Sequence, residues 1–82
     1  MAQIYCIEDI DQLKYIGVTR EKNLLNQVSR QRYYKKNKIQ ETASWNLDLD
    51  NCKIYQLEEC EKNERYLRHQ YWVDNSECVN RN

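Results

Sequence analysis

Two tyrosines mark where this chain could do chemistry. Tyr5 sits in the short β-prone run Gln3-Ile4-Tyr5-Cys6-Ile7, and Tyr15 leads a second run, Tyr15-Ile16-Gly17-Val18. On antiparallel strands both phenols would lie near one end of a hairpin and face a common groove, each able to donate and accept a hydrogen bond. A second tract, Arg30-Gln31-Arg32-Tyr33-Tyr34-Lys35-Lys36-Asn37-Lys38, has five cations, two rings and no acid. Cations contact phosphates and rings stack on bases, so Arg30, Arg32, Tyr33, Lys35, Lys36 and Lys38 are the candidate nucleic-acid-binding residues. A solvated helix end would also carry such cations, which complement the C-terminal dipole.

These groups must be positioned by few elements. The chain has 82 residues, and one unit is expected to span 1–82. Gln3–Ile7 and Leu13–Val18 read as strands joined by the acidic, turn-like Glu8–Gln12, a hairpin pattern. Gly17 is the chain's single glycine, so its place in the second strand implies a bulge or a close approach by another group. Thr19 is expected to cap a helix from Glu21 to Lys36 with a thin apolar stripe of Leu24, Leu25 and Val28. Ile39 and Trp45 should plug into the core from short turns. Cys52–Leu57 reads as a third strand. Glu58–Trp72 reads as a polar helix with Cys60, Leu67 and Tyr71 on one stripe, and Val79 docks from the tail. The order β-β-α-β-α predicts an α+β fold: a three-stranded antiparallel sheet flanked by helices.

Composition narrows the classes. The absence of proline excludes Pro-rich character, and a mean hydropathy of −1.08 with no long apolar run excludes a membrane-spanning helix. Met1–Asp9 has no basic leader region, which points to a cytoplasmic protein. Net charge is zero, but residues 1–40 carry eight basic and four acidic side chains, leaving five and nine for the rest. Overall charge is therefore silent about a polyanionic partner, whereas a local basic face is not. Cys6, Cys52, Cys60 and Cys78 lack zinc-finger spacing, and with His69 the only histidine they read as reduced packing residues.

The runs Gln3-Ile4-Tyr5 and Tyr15-Ile16-Gly17, the helix bearing Arg30 and Arg32, and the closing run Arg68-His69-Gln70-Tyr71-Trp72-Val73 followed by Asn80 resemble the GIY-YIG endonuclease family. The resemblance covers most of the chain, including the Trp-bearing segment Ile39–Trp45. It implies metal-dependent cleavage of DNA phosphodiesters. The tyrosines would position and activate a water, and a helix arginine would hold the phosphate. A glutamate on the last helix would carry Mg²⁺ or Mn²⁺ as Lewis acid and template. The family positions in this sequence are Tyr5, Tyr15, Gly17, Gln27, Gln31, His69 and Asn80.

Several of them depart from the family. Gln3 replaces the first glycine. Gln27 stands at the arginine position, Gln31 at the His/Tyr position and His69 at the glutamate position. Gln27 carries no permanent charge, and losing a charged clamp on a phosphoryl group costs ~10²–10⁵ in rate in comparable systems. A lone imidazole is a poor ligand for Mg²⁺, which prefers hard oxygens. Arg30 with Tyr34 restores the Arg-x-x-x-Tyr spacing one turn along, and residues 27, 30, 31 and 34 share a helix face. Glu64 is the alternative metal ligand, but five residues from His69 turn about 140° around a helix, away from that face. The resemblance thus leads to a nucleic-acid-binding domain with impaired or lost cleavage. Two alternatives remain: an active metal-dependent endonuclease with a rewired site, and a structural or regulatory domain that binds a protein partner or forms a homodimer.

Overall fold

The apolar N-terminal run forms the middle of the sheet. In the computed structural model, which describes residues 1–39 and 43–81, β1 (Ala2–Asp9) is flanked by β2 (Lys14–Thr19) and β3 (Cys52–Cys60), both antiparallel, in the order β2-β1-β3. A strand covered on both faces reads as nearly continuous apolar sequence, and here Ile4, Tyr5, Cys6 and Ile7 are all buried. The α+β architecture with one three-stranded antiparallel sheet and two helices is the one expected.

Alternation sorts the side chains onto two faces. Ala2, Ile4, Cys6 and Ile16 point one way, where Cys60, Val73 and the half-buried Trp72 close a core. Tyr5 and Ile7 point the other way and pack with Val28, Leu47 and Leu49. The register sets Tyr5 opposite Gly17 and Ile7 opposite Tyr15. Leu57 bulges from β3 between the pairs Ile4–Glu58 and Tyr5–Gln56.

The hairpin turn is built on Asp9, which ends β1. Its buried carboxylate accepts from the backbone N–H of Asp11 (3.0 Å), Leu13 (2.9 Å) and Asp48 (2.8 Å), tying the turn to the segment before β3. That segment carries a 3₁₀ turn at Ala43–Asn46.

Several local expectations are corrected. Helix α1 runs Leu25–Asn37, starting four residues later than the pattern suggested. Thr19 does not cap it. Its hydroxyl receives the N–H of Glu21 inside the connecting loop, and Asn23 Oδ1 receives the N–H of Leu25. Leu25 is 69% exposed, and the buried positions of α1 are Gln27, Val28 and Gln31. Ile39 is 56% exposed rather than in the core. The other half of the Ile39–Trp45 expectation divides: Trp45 lies half-buried in the 3₁₀ turn, and 40–42 lie outside the described residues.

The third strand extends to Cys60, so Glu58 belongs to β3 and not to a helix start. Arg68 forks onto the Glu58 carboxylate through Nε (2.7 Å) and Nη2 (2.6 Å), and Trp72 Nε1 adds a third bond at 3.2 Å. The Arg68 bonds hold the Glu58 carboxyl below its ordinary range. This pairing pins helix α2 (Arg65–Asp74) to the sheet. A 3₁₀ turn at Lys62–Glu64 precedes α2. The stripe of Leu67 and Tyr71 faces solvent, Leu67 with 72% of its surface exposed, because the helix turns Val73 and Trp72 inward instead. Among the described residues no helix is long and apolar enough to cross a membrane. All four cysteines are free thiols, Cys6 and Cys60 buried.

Candidate functional site

The site grows from the pairing of Tyr5 with Gly17. The Tyr5 ring lies flat across the glycine, so a Cβ built at residue 17 would sit 2.2 Å from Tyr5 Cζ and 2.3 Å from its hydroxyl. No side chain fits there, which explains why the one glycine of the chain stands at this point of β2. Tyr15 joins from the same face, its ring centroid 6.5 Å from that of Tyr5 at an interplanar angle of 55°. Tyr5 is only 2% exposed. Burial, reinforced by the neighbouring Tyr15, pushes its phenol well above the usual range, against a smaller pull from Arg30. Burial also raises Tyr15. Both phenols therefore stay protonated near neutrality and act as hydrogen-bonding groups.

Helix α1 covers this face with polar side chains. Gln27 Nε2 donates to Thr19 Oγ1 at 3.1 Å and to Glu21 Oε2 at 3.2 Å. Gln31 Oε1 accepts from Ser44 Oγ at 2.7 Å, linking α1 to the 3₁₀ turn. Arg30 Nη2 meets Glu21 Oε1 at 2.6 Å, and this bond raises the guanidinium further above its normal range. Of the residues whose spacing puts them on one side of α1, Gln27 and Gln31 are buried, Tyr34 is half-buried and Arg30 is exposed.

The other basic residues of α1 divide from Arg30. Arg32 Nε donates to the Leu49 carbonyl at 2.6 Å, and Lys35 Nζ to the Leu47 carbonyl at 3.1 Å. They fasten the helix to the segment before β3 and line a groove of about 560 Å³ with Ser29, Tyr33, Lys36, Asp48 and Asp50. Tyr33, Lys36 and Lys38 are exposed. The basic tract is therefore no single stripe: Arg30 is bonded to Glu21 of the β2–α1 loop, Arg32 and Lys35 reach the segment before β3, and Tyr33 edges onto Tyr34.

His69 and Asn80 converge from elsewhere on the backbone of one residue, Ile16. Asn80 Oδ1 accepts the N–H of Ile16 at 2.8 Å, and its Nδ2 donates to the Ile16 carbonyl at 2.8 Å. His69 Nε2 lies 3.0 Å from the same carbonyl. A carbonyl only accepts, so Nε2 carries the proton. Ile16 lies between Tyr15 and Gly17 on a strand at the edge of the sheet. Asn80 and His69 together stand where a neighbouring strand would, satisfying backbone groups that would otherwise be open.

A divalent ion does not fit this arrangement. Mg²⁺ and Mn²⁺ favour oxygen ligands. His69 presents an N–H to the chain, Glu21 is held by Arg30 and Gln27, and Glu64 lies in the turn before α2. Among the described residues no three His, Cys, Asp or Glu side chains cluster as a metal site. No chemical step is derived through a metal.

Sequence reasoning missed three members of the site. Gln3 Nε2 donates to the carbonyls of Glu21 (2.8 Å) and Lys22 (3.1 Å), so the residue in place of a glycine anchors the β2–α1 loop. Thr19 and Glu21 bring that loop to Gln27 and Arg30. One signal was available: Glu21 is the only acid among residues 12–40, amid eight cations. No protein-family model matches the chain, and neither does any curated protein or solved structure at a significant level.

Proposed function

We propose that the chain is a GIY-YIG-like domain that binds nucleic acid and has impaired or lost phosphodiester cleavage. The observation that carries the reading is the Tyr5 ring lying across Gly17 beside Tyr15, with a neutral amide, Gln27, at the position where the resemblance calls for arginine. The hairpin pairing Tyr5 with Gly17 is what that motif needs sterically. The replaced positions have taken structural work: Gln27 holds Thr19 and Glu21, Gln31 holds Ser44, and His69 holds Ile16. A site so occupied has a neutral amide where the resemblance calls for a cation, and the neighbouring Arg30 is already neutralised by Glu21, so the charge that develops on a transferred phosphoryl group is poorly met. Exposed Arg20, Lys22, Lys36 and Lys38 leave cationic surface for phosphate contacts.

The test is nicking of supercoiled plasmid with Mg²⁺ and then Mn²⁺, beside a binding titration on labelled duplex DNA. The expected result is binding that weakens linearly in log affinity against log salt, with no nicking. A Gln27→Arg, His69→Glu double variant that nicks would place the lost chemistry at those positions. Nicking by the natural chain that Tyr5→Phe abolishes would overturn the impaired-cleavage reading. A flat salt response, or no binding at low salt, would overturn the nucleic-acid reading.

A further inference from the structure

We propose that the Glu21 carboxylate is a built-in anion seated where a nucleic-acid phosphate would bind beside Tyr5, so that a phosphodiester enters only as Glu21 swings out. The proposal rests on the nucleic-acid reading above and adds a gate to it.

Two donors from consecutive turns of α1 converge on one carboxylate, Arg30 on Oε1 at 2.6 Å and Gln27 on Oε2 at 3.2 Å. A guanidinium and an amide held apart to serve two oxygens of one anion also suit two non-bridging oxygens of a phosphate. The hydroxyl of Thr19 adjoins them, receiving Gln27 Nε2 at 3.1 Å.

The gate can move without the backbone moving. The Glu21 carbonyl is held by Gln3 and its N–H by Thr19, so the main chain is fixed on both sides of the residue, and the side chain is held through its bonds to Arg30 and Gln27. The ion pair is partly open to solvent, with side-chain exposures of 44% for Arg30 and 38% for Glu21. Such pairs are weak and salt-sensitive, so a multivalent polyanion competes readily for the guanidinium. The only acid among residues 12–40 thus lies on Arg30.

Fluorescence anisotropy of a labelled DNA duplex over a salt series tests this with the natural chain, Glu21→Gln, Glu21→Ala, and Glu21→Gln combined with Arg30→Gln. Melting by circular dichroism establishes that each variant is folded. Both single variants are expected to bind roughly 3- to 10-fold tighter at low salt, since a competitor and a repulsive charge are both removed. The log–log salt slope should steepen by about 0.9, the signature of one added phosphate contact. The gain should vanish when Arg30 is also replaced. Unchanged affinity in the single variants overturns the gate while leaving nucleic-acid binding intact. A gain that persists without Arg30 also overturns it, because Glu21 would then act only as a distant negative charge. No binding by the natural chain or the single variants overturns the nucleic-acid reading and the gate with it.

Discussion

The two faces of the sheet are built from alternate residues of the same strands, yet they are different materials. The face under α2 is closed by Ala2, Ile4, Cys6, Ile16, Cys60 and Val73, with Glu58 and Arg68 fastening its rim. The face under α1 also has an apolar cluster of Ile7, Val28, Leu47 and Leu49, but adds to it the Tyr5–Tyr15 pair and the buried amides Gln27 and Gln31. Apolar packing is non-directional and tolerates change, whereas a roof of amides works only when each finds its partner. One face supplies cohesion; the other holds polar groups in fixed places, which is what a binding site requires.

The largest expected effect lies on the cohesive face. Ile16→Ala should cost about 2–5 kcal/mol of stability, read from chemical denaturation, because Ile16 is fully buried and its neighbours cannot collapse fully into the space. DNA affinity of the folded fraction should stay near its natural value. A loss of affinity larger than the loss of folded protein would break the division between the faces.

Next comes Gly17→Ala, one residue along and on the opposite face. Its methyl group would collide with the Tyr5 ring, so overpacking should cost about 1–3 kcal/mol and push that ring from its place. Unlike Ile16→Ala, it should disturb nucleic-acid affinity, and the near-ultraviolet circular dichroism of the tyrosines should change. A variant as stable as the natural chain with an unchanged tyrosine signal would remove the steric account of the glycine.

The smallest effect is a pH dependence to which Tyr5 and Tyr15 contribute on the polar face, beside Tyr55 on the other, whose phenol is also raised by its bond with Cys6 and by burial. The folded-state values of Tyr5 and Tyr15 lie above those of the unfolded chain. The sign follows from linkage: the folded form keeps protons that the unfolded form releases above about pH 10, so stability is fully present below that pH and falls as pH rises beyond it. Tyrosine absorbance should show these two groups ionising only with unfolding, and Tyr15→Phe should lessen the alkaline fall. Ionisation of all seven tyrosines with an ordinary midpoint in the still-folded chain would contradict the burial of this pair.

Much of the hairpin was legible in the sequence. Gln3–Ile7 and Tyr15–Val18 have the β-prone composition of their strands, and a lone glycine in a strand signals a close approach, here by the Tyr5 ring. The helices were harder to read because α1 buries two amides beside Val28, and α2 turns Val73 and Trp72 inward rather than Leu67 and Tyr71. Gln27 and Gln31 face inward beside Val28 and Leu24, while Leu25 and Leu67 face outward, so an apolar stripe marks only part of the buried sides. The boundary at Glu58 was missed for a related reason. A run of carboxylates resembles a helix start, but the strand continues because Arg68 and Trp72, ten and fourteen residues on, satisfy Glu58.

The sequence by itself determined the order of the elements, the α+β class, the single position where a ring could cross the backbone, and the spacing that puts residues 27, 30, 31 and 34 on one side of a helix. These depend on periodicity and on local sterics, which act over a few residues. Only the tertiary structure decided that Asn80 and His69 meet on the peptide of Ile16, that Gln3 holds the loop after β2, and that Glu21 lies on Arg30. Each of these is a hydrogen bond or ion pair between residues that the folded chain brings together. A polar side chain does not advertise its partner: its choice depends on which donors and acceptors remain unsatisfied once the sheet has formed and the helices have packed on it.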